Sequence, residues 1–292
     1  MRIGPLQLDS PLMLAPIAGH CDVAFRVLCR ELGGVGIAFT DLLNSRAVLA
    51  GTSKSRQLAA TCAADEPLGM QLYGNAEDPL PEAARWAIQS GAQLIDINMG
   101  CPVDKVAKKN GGSLLLRDCA STLGLVEKVL AAVESESGGA VPLTAKIRLG
   151  WDDDSIVGPT LARNLERVGV SAVTVHGRTT AQKFSGSANW RAIGEVVAAV
   201  KDIPIIGNGD VQDPQDVCEL MRVSGCSGVM IGRASLRTPW IFARAKQLLD
   251  TNTAAHEPSF NDKCRVILRH IDLLEELTDP AYGLRTMRQK IS

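Results

Sequence analysis

Eight short apolar runs recur along the chain, each about the length of a buried β-strand. The segments between them have helical apolar spacing, and several carry helix start or stop signals. Strands that alternate with helices in this way predict a parallel sheet with helical crossovers. The runs are LMLAPIAG (12–19), GIAFTDL (36–42), LGMQLYG (68–74), LIDINMG (94–100), LTAKIRLG (143–150), AVTVHG (172–177), IPIIGNGD (203–210) and GVMIGR (228–233).

The number of runs selects the architecture. Eight parallel strands can close into a barrel, and a (β/α)8 fold typically takes ~250 residues. We therefore predict an α/β fold in which residues 1–250 form a TIM barrel and residues 251–292 a short, incomplete helical domain. A doubly wound open sheet is the alternative. It would need a GxGxxG motif before a helix, which the glycines near Gly34 and Gly36 do not complete.

Composition narrows the classes of partner. The chain has 292 residues and a net charge of -1, so a nucleic acid would have to be held by a local patch. Its eight cysteines are scattered without a CxxC pair, which argues against structural zinc and indicates reduced thiols. The N-terminus lacks an apolar signal region, and no apolar run approaches the ~20 residues of a membrane span. We expect a cytoplasmic protein that binds neither metal nor membrane.

Polar residues follow the predicted strands at the end where a barrel carries its chemistry. A lone His176 or Lys146 would more often be structural, but their placement on successive strand ends predicts a shared site. Glycine-containing turns follow the seventh and eighth strands, where barrels commonly bind phosphate, so we predict a phosphate-bearing cofactor or substrate. The strand-end residues are Pro16, Ala18, Asp41, Gln71, Asn98, Cys101, Lys146, Arg148, His176, Arg178, Asn208, Asp210, Gly232 and Arg233.

Cys101 ends a buried strand and precedes a basic loop. On spacing alone it is as well explained as a small core residue, because free cysteine is among the most buried residue types. The loop VDKVAKKNGGS offers lysines to phosphates, and Gly111–Gly112 could hinge its closure. A solvated basic loop is the alternative.

The sequence resembles the tRNA-dihydrouridine synthases, a flavin-dependent family. The stretches that carry the resemblance cover nearly all of the predicted barrel, in order; two of them, DINMGCPVDKV and RASLRTPWIF, are most similar to bacterial B-type members. The others are APIAGHCDVAFR, MQLYG, AKIRLGW, HGRT, IIGNGD and SGCSGVMIGRA. The resemblance implies a barrel that binds FMN, uses NADPH as reductant and reduces the C5=C6 bond of particular uridines in tRNA. We expect a monomer with tRNA as its partner.

The resemblance also implies residue roles. Cys101 would donate the proton to C5 of the uracil. The FMN contacts would be Pro16, Ile17, Ala18, Gln71, Lys146, His176, Asn208, Gly209, Asp210, Gly232 and Arg233, of which the last five would hold the ribityl chain and phosphate. The substrate contacts would be Asn98 and Arg148 at the uracil, with Lys105, Lys108 and Arg178 toward the RNA.

Three alternatives remain open. A flavin enzyme acting on a free pyrimidine, such as a dihydroorotate or dihydropyrimidine dehydrogenase, would share the flavin site. An RNA-binding protein without catalysis is a second, which the intact Cys101, Lys146 and His176 argue against. A Schiff-base aldolase using Lys146 is a third, but the sequence supplies no evident desolvated pocket for that lysine.

The C-terminal segment predicts an appendage that must pack on the barrel to be ordered. TNTAAHEPS (251–259) reads as a polar linker, and residues 260–277 as an amphipathic helix with Val266, Ile267, Ile271 and Leu274 on one side. A second helix begins in LRTMRQKIS (284–292). The family implies a bundle of several helices that grips tRNA, so this short segment predicts weak, strongly salt-dependent tRNA binding. A naturally short protein is the alternative.

Overall fold

Eight parallel strands close on themselves into a barrel in the computed structural model, which describes residues 1–102, 111–253, 255–279 and 282–283. The ring closes where β8 pairs with β1, and a short strand, Leu43–Asn44, lies beside β3. The predicted TIM barrel is confirmed, and the open-sheet alternative is excluded. The barrel strands are β1 Leu12–Leu14, β2 Ile37–Phe39, β3 Leu68–Tyr73, β4 Leu94–Met99, β5 Leu143–Arg148, β6 Ala172–His176, β7 Ile205–Asn208 and β8 Gly228–Ile231.

Each predicted run contains one observed strand, but the runs extend past the strands into their loops. The described helices that sequence periodicity predicts lie within one to three residues of their predicted bounds. Short elements were missed, among them α2, α3 and α9, because they hold too few residues to show a period. The helices are α1 Val23–Leu32, α2 Ser45–Leu49, α3 Ser53–Ala59, α4 Leu80–Gln89, α5 Cys119–Ser137, α6 Gly158–Val168, α7 Trp190–Ala199, α8 Pro214–Ser224, α9 Arg233–Arg237, α10 Ile241–Thr251 and α11 Phe260–Leu277, with a 3-10 turn at Gly112–Arg117.

An N-terminal hairpin closes the floor of the barrel. Its strands, Arg2–Ile3 and Leu6–Gln7, pair antiparallel. Gly4 lies against Pro142 and Ser171, the residues that precede β5 and β6, which places the hairpin at the N-terminal ends of the strands. Its apolar side chains join a cluster of inward-facing residues at that end, so the lower half of the interior is solid and apolar. The cluster comprises Ile3, Leu8, Met13, Ala15, Ile37, Phe39, Leu94, Ala172, Ile206 and Met230.

The C-terminal helix α11 packs on α1, as the amphipathic pattern requires. Leu273 and Leu274 are each 2% exposed, and the ring of His270 lies 5.8 Å from that of Phe25. The predicted face was partly wrong, since Ile267 is 47% exposed. The domain division at residue 250 stays a prediction, and the second helix predicted at 284–292 lies outside the described residues. None of the helices described combines the length and apolar composition of a bilayer span.

A buried ion pair ties α1 to the segment that leads into β3. Arg26 on α1 lies 2.7 Å from Asp65, and both side chains are 0% exposed. Arg26 also donates to the backbone carbonyl of Ala60, at 2.6 Å, while Arg30 contacts the second carboxylate oxygen of Asp65 at 3.2 Å. Removing one member of such a pair leaves the other charged and desolvated, which is more destabilising than the pair is stabilising.

We predict that Asp65→Ala lowers the free energy of unfolding by about 3–5 kcal/mol, because Arg26 is left buried without its counter-ion. Urea unfolding monitored by circular dichroism measures the change. The matched control is Glu219→Ala, which breaks an exposed pair with Arg222 and should leave the urea midpoint unchanged. Equal midpoints for Asp65→Ala and wild type would show that the buried pair does not anchor α1.

Candidate active site

The upper half of the barrel interior is polar, in contrast to its apolar floor. Alternate residues of a strand face the same side, so Thr144, Lys146 and Arg148 of β5 share one face. Register pairs Asn98 of β4 with Lys146, and His176 of β6 with Arg148. Side chains that the sequence placed on separate strand ends are therefore neighbours at one mouth.

A series of hydrogen bonds runs from the barrel interior to Gly100 and Cys101, the two residues that follow β4 and that we call the Cys101 corner. The Gln71 Nε2 donates to Asp96 Oδ2 at 2.6 Å, and the Asn98 Nδ2 donates to Gln71 Oε1 at 2.7 Å. The backbone N–H of Cys101 then donates to Asn98 Oδ1 at 2.8 Å. Gln71 is fully buried in the middle of β3, so its predicted contact with the flavin edge stays a prediction.

Lys146 is held inside the mouth by an amide. Its Nζ donates to Asn208 Oδ1 at 2.9 Å, and the Asn208 Nδ2 donates to the Met230 carbonyl at 2.7 Å. Burial, followed by the charge of Arg148, lowers the pKa of Lys146 to about 8, and the Asp96 carboxylate opposes this shift. The sequence-based argument that Lys146 lacks a desolvated pocket was therefore wrong.

His176 is neutral in this surrounding. Burial, followed by the charges of Lys146 and Arg148, holds the pKa of His176 well below its usual range. The imidazole consequently offers one N–H donor and one ring-nitrogen acceptor rather than a positive charge.

Arg148 braces the loops around Cys101. It is 1% exposed, and its Nε donates to the Gly100 carbonyl at 2.7 Å. Its Nη1 donates to the carbonyls of Thr179 and Lys183, at 2.7 and 2.8 Å, in the loop after β6. The guanidinium thus fixes backbone on both sides of the mouth, and its predicted contact with uracil stays a prediction. The ring of Phe184, 54% exposed, lies 5.6 Å from it and 5.5 Å from the guanidinium of Arg233.

Arg178 and Asp210 form a second brace. Arg178 is 2% exposed and donates to both carboxylate oxygens of Asp210, at 2.9 and 2.7 Å. Partial burial acts to raise the pKa of Asp210, but hydrogen bonds from Arg178 and from the backbone N–H of Ala188 hold it below its usual value. This pair orders the loops after β6 and β7. The predicted RNA contact of Arg178 and the predicted cofactor contact of Asp210 stay predictions.

The turns after β7 and β8 suit a phosphate-bearing group. Gly209 has a φ of +118°, and a Cβ there would lie 2.8 Å from that of Ala188 and 3.0 Å from Cδ2 of His176, so a side chain would collide with the site. Gly232 precedes α9, and its first residue, Arg233, presents a guanidinium that is 65% exposed. An accessible cation beside glycine turns fits the phosphate of FMN.

The loop after β1 lies beside the turn after β8, since the backbone N–H of Ala15 donates to the carbonyl of Ile231, the last residue of β8, at 2.9 Å. Pro16 and Ile17 are half-buried there and Ala18 is exposed. Apolar side chains at this edge, with the Lys146 amine and neutral His176 inside, fit the flavin ring of FMN. The donor set present therefore fits the whole cofactor.

Some predicted residues fall outside the structure described. Lys105, Lys108 and Lys109 lie within 103–110, outside the described residues. Gly111 is clamped against the loop after β3, because a Cβ on it would lie 2.8 Å from the Gly74 carbonyl oxygen. Its predicted hinge role stays a prediction.

Sequence reasoning missed Asp96 and Thr144, which bond each other at 2.6 Å. The available signal was a carboxylate in the middle of an otherwise apolar strand run. Within the described ranges, no cluster of His, Cys, Asp or Glu side chains could hold a metal ion.

Comparison with known proteins gives consistent matches. A family model described as Dihydrouridine synthase (Dus) matches residues 13–292. The tRNA-dihydrouridine synthase B of Xanthomonas axonopodis pv. citri is 39% identical over 291 residues, covering 100% of this chain and 85% of that protein. The probable tRNA-dihydrouridine synthase of Mycobacterium tuberculosis H37Rv is 37% identical over 299 residues, covering 100% of this chain and 76% of that protein.

Among solved structures, the 6-hydroxypseudooxynicotine amine oxidase HisD of Pseudomonas geniculata N1 superposes with a TM-score of 0.63 at 14% identity. The match covers 84% of this chain and 48% of that one. At that identity the likeness shows the barrel fold alone.

The lowered pKa of Lys146 predicts a pH dependence of stability. Between about 8 and the ordinary lysine value, the unfolded chain holds this proton more tightly than the fold does, so the contribution of Lys146 to stability rises with pH in that window. We expect wild type to gain stability relative to Lys146→Met between about pH 7 and pH 9.5, as measured by urea unfolding. Lys128→Met, at an exposed lysine of α5, is the control. A constant difference between wild type and Lys146→Met across this range would contradict the shift.

Proposed function

This chain belongs to the dihydrouridine synthase family, and on that premise we propose that Cys101 is the acid through which it protonates uracil. The chain is an FMN-dependent enzyme that reduces uridines of tRNA to 5,6-dihydrouridine. A dehydrogenase acting on a free pyrimidine, the alternative open from the sequence, is set aside by this family. The further assignments below concern how the residues of this chain carry out the reaction.

The site residues divide between cofactor and substrate. FMN, when bound and reduced, supplies the hydride that C6 of the uracil accepts. Arg233, Gly232 and Gly209 would hold its phosphate end, while Lys146 and His176 would face the flavin ring. A lysine near the pyrimidine side of that ring stabilises its anionic reduced form, and a neutral histidine adds a hydrogen bond without adding charge. NADPH is the reductant.

Cys101 completes the reduction at C5. Cys101 is partly buried at the mouth, its backbone N–H is fixed by Asn98, and the adjacent Gly100 carbonyl is fixed by Arg148. The ordinary pKa of a cysteine thiol is ~8.5, so this type of group carries a proton at neutral pH and can give it up in a reaction. The S–H bond breaks, a C–H bond forms at C5, and the thiolate regains a proton from solvent. The partly buried Cys101, anchored through its backbone at the mouth, is the observation that carries the proposal.

The substrate reaches the site as a flipped nucleotide. A stacked base in folded RNA cannot enter the mouth of a barrel, and flipping it out costs a few kcal/mol. Asn98 and Arg148 bond the backbone of Cys101 and Gly100, which supports their proposed role at the uracil edge. We expect a monomer acting in the cytoplasm, where tRNA is modified.

The proposal is tested by supplying unmodified tRNA, FMN and NADPH to the purified protein. Dihydrouridine should accumulate in the tRNA, as measured by mass spectrometry of its nucleosides. Reduction of free uracil or orotate at a comparable rate, with none in tRNA, would overturn it.

We predict that Cys101→Ala separates the two half-reactions. FMN binding and flavin reduction by NADPH should stay near wild type, whereas uracil reduction by the reduced enzyme should nearly cease because no group replaces the proton donor. Stopped-flow absorbance follows the flavin in both steps. The control is Cys119→Ala, at a partly buried cysteine that is the first residue of α5. Equal losses in both steps would assign Cys101 to folding or cofactor binding.

We predict that Arg233→Ala weakens FMN binding roughly ten- to a hundredfold, because a charge-assisted contact to phosphate is worth about 1.5–3 kcal/mol. Fluorescence titration of the apoprotein with FMN measures the dissociation constant. Arg237→Ala removes the same charge from the last turn of the same helix and should change little. Riboflavin, which lacks the phosphate, should bind wild type and Arg233→Ala alike. An unchanged FMN constant would place the phosphate elsewhere.

A further inference from the structure

Asp96 is a buried carboxylate that the reaction as described does not use. It lies in the middle of β4, is 1% exposed, and its strand neighbours Ile95 and Ile97 are apolar and fully buried. One carboxylate oxygen accepts from Thr144 Oγ1 at 2.6 Å, and the other accepts from Gln71 Nε2 at 2.6 Å. Burying a carboxylate costs free energy, so an apolar side chain would pack in this position at lower cost. We therefore expect the function of Asp96 to lie in its hydrogen bonds.

The hydrogen-bond chain that starts at Asp96 has a direction. An ionised carboxylate only accepts hydrogen bonds, so Gln71 must turn its amino group toward Asp96 and its oxygen toward Asn98. That oxygen requires the amino group of Asn98, which leaves the Asn98 oxygen facing the backbone N–H of Cys101. An N–H can only donate, so both ends of the chain demand the same orientation of the two amides.

The direction depends on the charge state of Asp96. Burial raises the pKa of Asp96 to about 6, against hydrogen bonds from Thr144 and Gln71 and the charge of Lys146, all of which lower it. Asp96 is therefore ionised at neutral pH and accepts on both oxygens. A protonated carboxyl could donate to Gln71 and reverse both amides, which would turn the Asn98 amino group against the N–H of Cys101.

We propose that Asp96 is a positioning residue for dihydrouridine synthesis, acting through Gln71 and Asn98 to hold the backbone of Cys101 in place. The assignment rests on the proposed role of Cys101 as the acid. Asp96 itself touches neither substrate nor cofactor. Its effect is to fix two amide orientations, so that the N–H of Cys101 always meets an oxygen.

Other hydrogen bonds also hold the Cys101 corner, so Asp96 is needed only for the position of the Cys101 backbone N–H. Arg148 holds the Gly100 carbonyl, and the backbone N–H of Ser113 donates to the Cys101 carbonyl at 3.2 Å. These contacts keep the corner folded when the amide chain is lost. The Asp96–Gln71–Asn98 hydrogen bonds add a fixed position for the N–H of Cys101. That position matters for the rate, because small displacements of a reacting group reduce rates by up to about a hundredfold.

Two substitutions of Asp96 separate orientation from charge. Asp96→Leu fills the site with an apolar side chain and removes the acceptor that sets the direction. Asp96→Asn keeps an acceptor toward Gln71, because its amino group can donate to Thr144, whose hydroxyl already contacts the Ile95 carbonyl at 3.3 Å. Thr144→Ser is the matched control, since it changes the other partner of Asp96 but keeps the hydroxyl that Asp96 accepts from, and so leaves the hydrogen bonds to Cys101 intact.

The first measurement is hydrogen exchange of overlapping peptides that resolve the Cys101 amide. In Asp96→Leu, exchange at Cys101 should accelerate on the order of tenfold while the barrel strands keep their protection. Asp96→Asn and Thr144→Ser should resemble wild type. This readout requires neither FMN nor tRNA, so it tests the positioning separately from the role of Cys101.

The second measurement is a single turnover of chemically reduced enzyme with saturating tRNA. Asp96→Leu should slow dihydrouridine formation roughly ten- to a hundredfold, with the tRNA concentration at half-maximal rate little changed. Asp96→Asn should restore the rate. If Asp96→Leu does not fold, Gln71→Met removes the next hydrogen-bonding group in the series. It should likewise accelerate exchange at Cys101 and slow dihydrouridine formation.

Each remaining outcome decides the matter. Unchanged exchange at Cys101 in Asp96→Leu or Gln71→Met overturns the positioning role. A slow Asp96→Asn shows that the charge of Asp96, not the amide orientation, matters, and overturns it too. Faster exchange at Cys101 with an unchanged rate shows that Asp96 orders the backbone without serving dihydrouridine synthesis, and overturns the proposal, whereas the role of Cys101 as the acid is tested separately by Cys101→Ala.

Discussion

Closure of the sheet is the constraint on which the site depends. The backbone N–H of Val229 in β8 donates to the Pro11 carbonyl at 2.9 Å, and that of Ala15 donates to the Ile231 carbonyl at 2.9 Å, which joins the last strand to the first. With the ring closed, the C-terminal ends of all eight strands meet at one mouth. Lys146, His176 and Asn208 come from three successive strands, yet each lies in register with the next strand. No single loop positions these side chains.

The same closure forces ionisable groups into a confined interior. The floor is filled by the N-terminal hairpin and its apolar cluster, so water is excluded from below. Asp96, Lys146, His176 and Arg148 consequently have pKa values displaced toward their neutral forms. Their hydrogen bonds compensate for lost solvation by fixing each side chain to a partner on a neighbouring strand or loop. The buried ionisable side chains therefore make the site rigid through the hydrogen bonds that they require.

The sequence predicted the barrel because its eight strands are buried on both faces, which makes each one a continuous apolar run with a clear boundary. It also predicted which strand ends carry polar groups. It could not predict whether these groups face the ligand or each other. Arg148 and Arg178 match substrate positions by resemblance, yet in the fold both are nearly fully buried and bonded to loop carbonyls and to Asp210. Asp96 shows up in the sequence as a carboxylate in an apolar run, but its partners on β3 and β5 are 25 and 48 residues away and leave no local pattern.

The electrostatics of the mouth bear on why a thiol suits the role proposed for Cys101. A carboxylic acid beside the cations Lys146 and Arg148 would be ionised at neutral pH and would have no proton to give. A histidine there is held neutral, as His176 is, and its N–H is a poor acid. Side chains with low or middle pKa values therefore lose their usable proton in this surrounding. A cysteine thiol has an ordinary pKa of ~8.5, so this type of side chain keeps its proton at neutral pH and can still act as an acid. Among these side chains, a thiol is therefore the one best suited to hold a proton beside these cations and to release it.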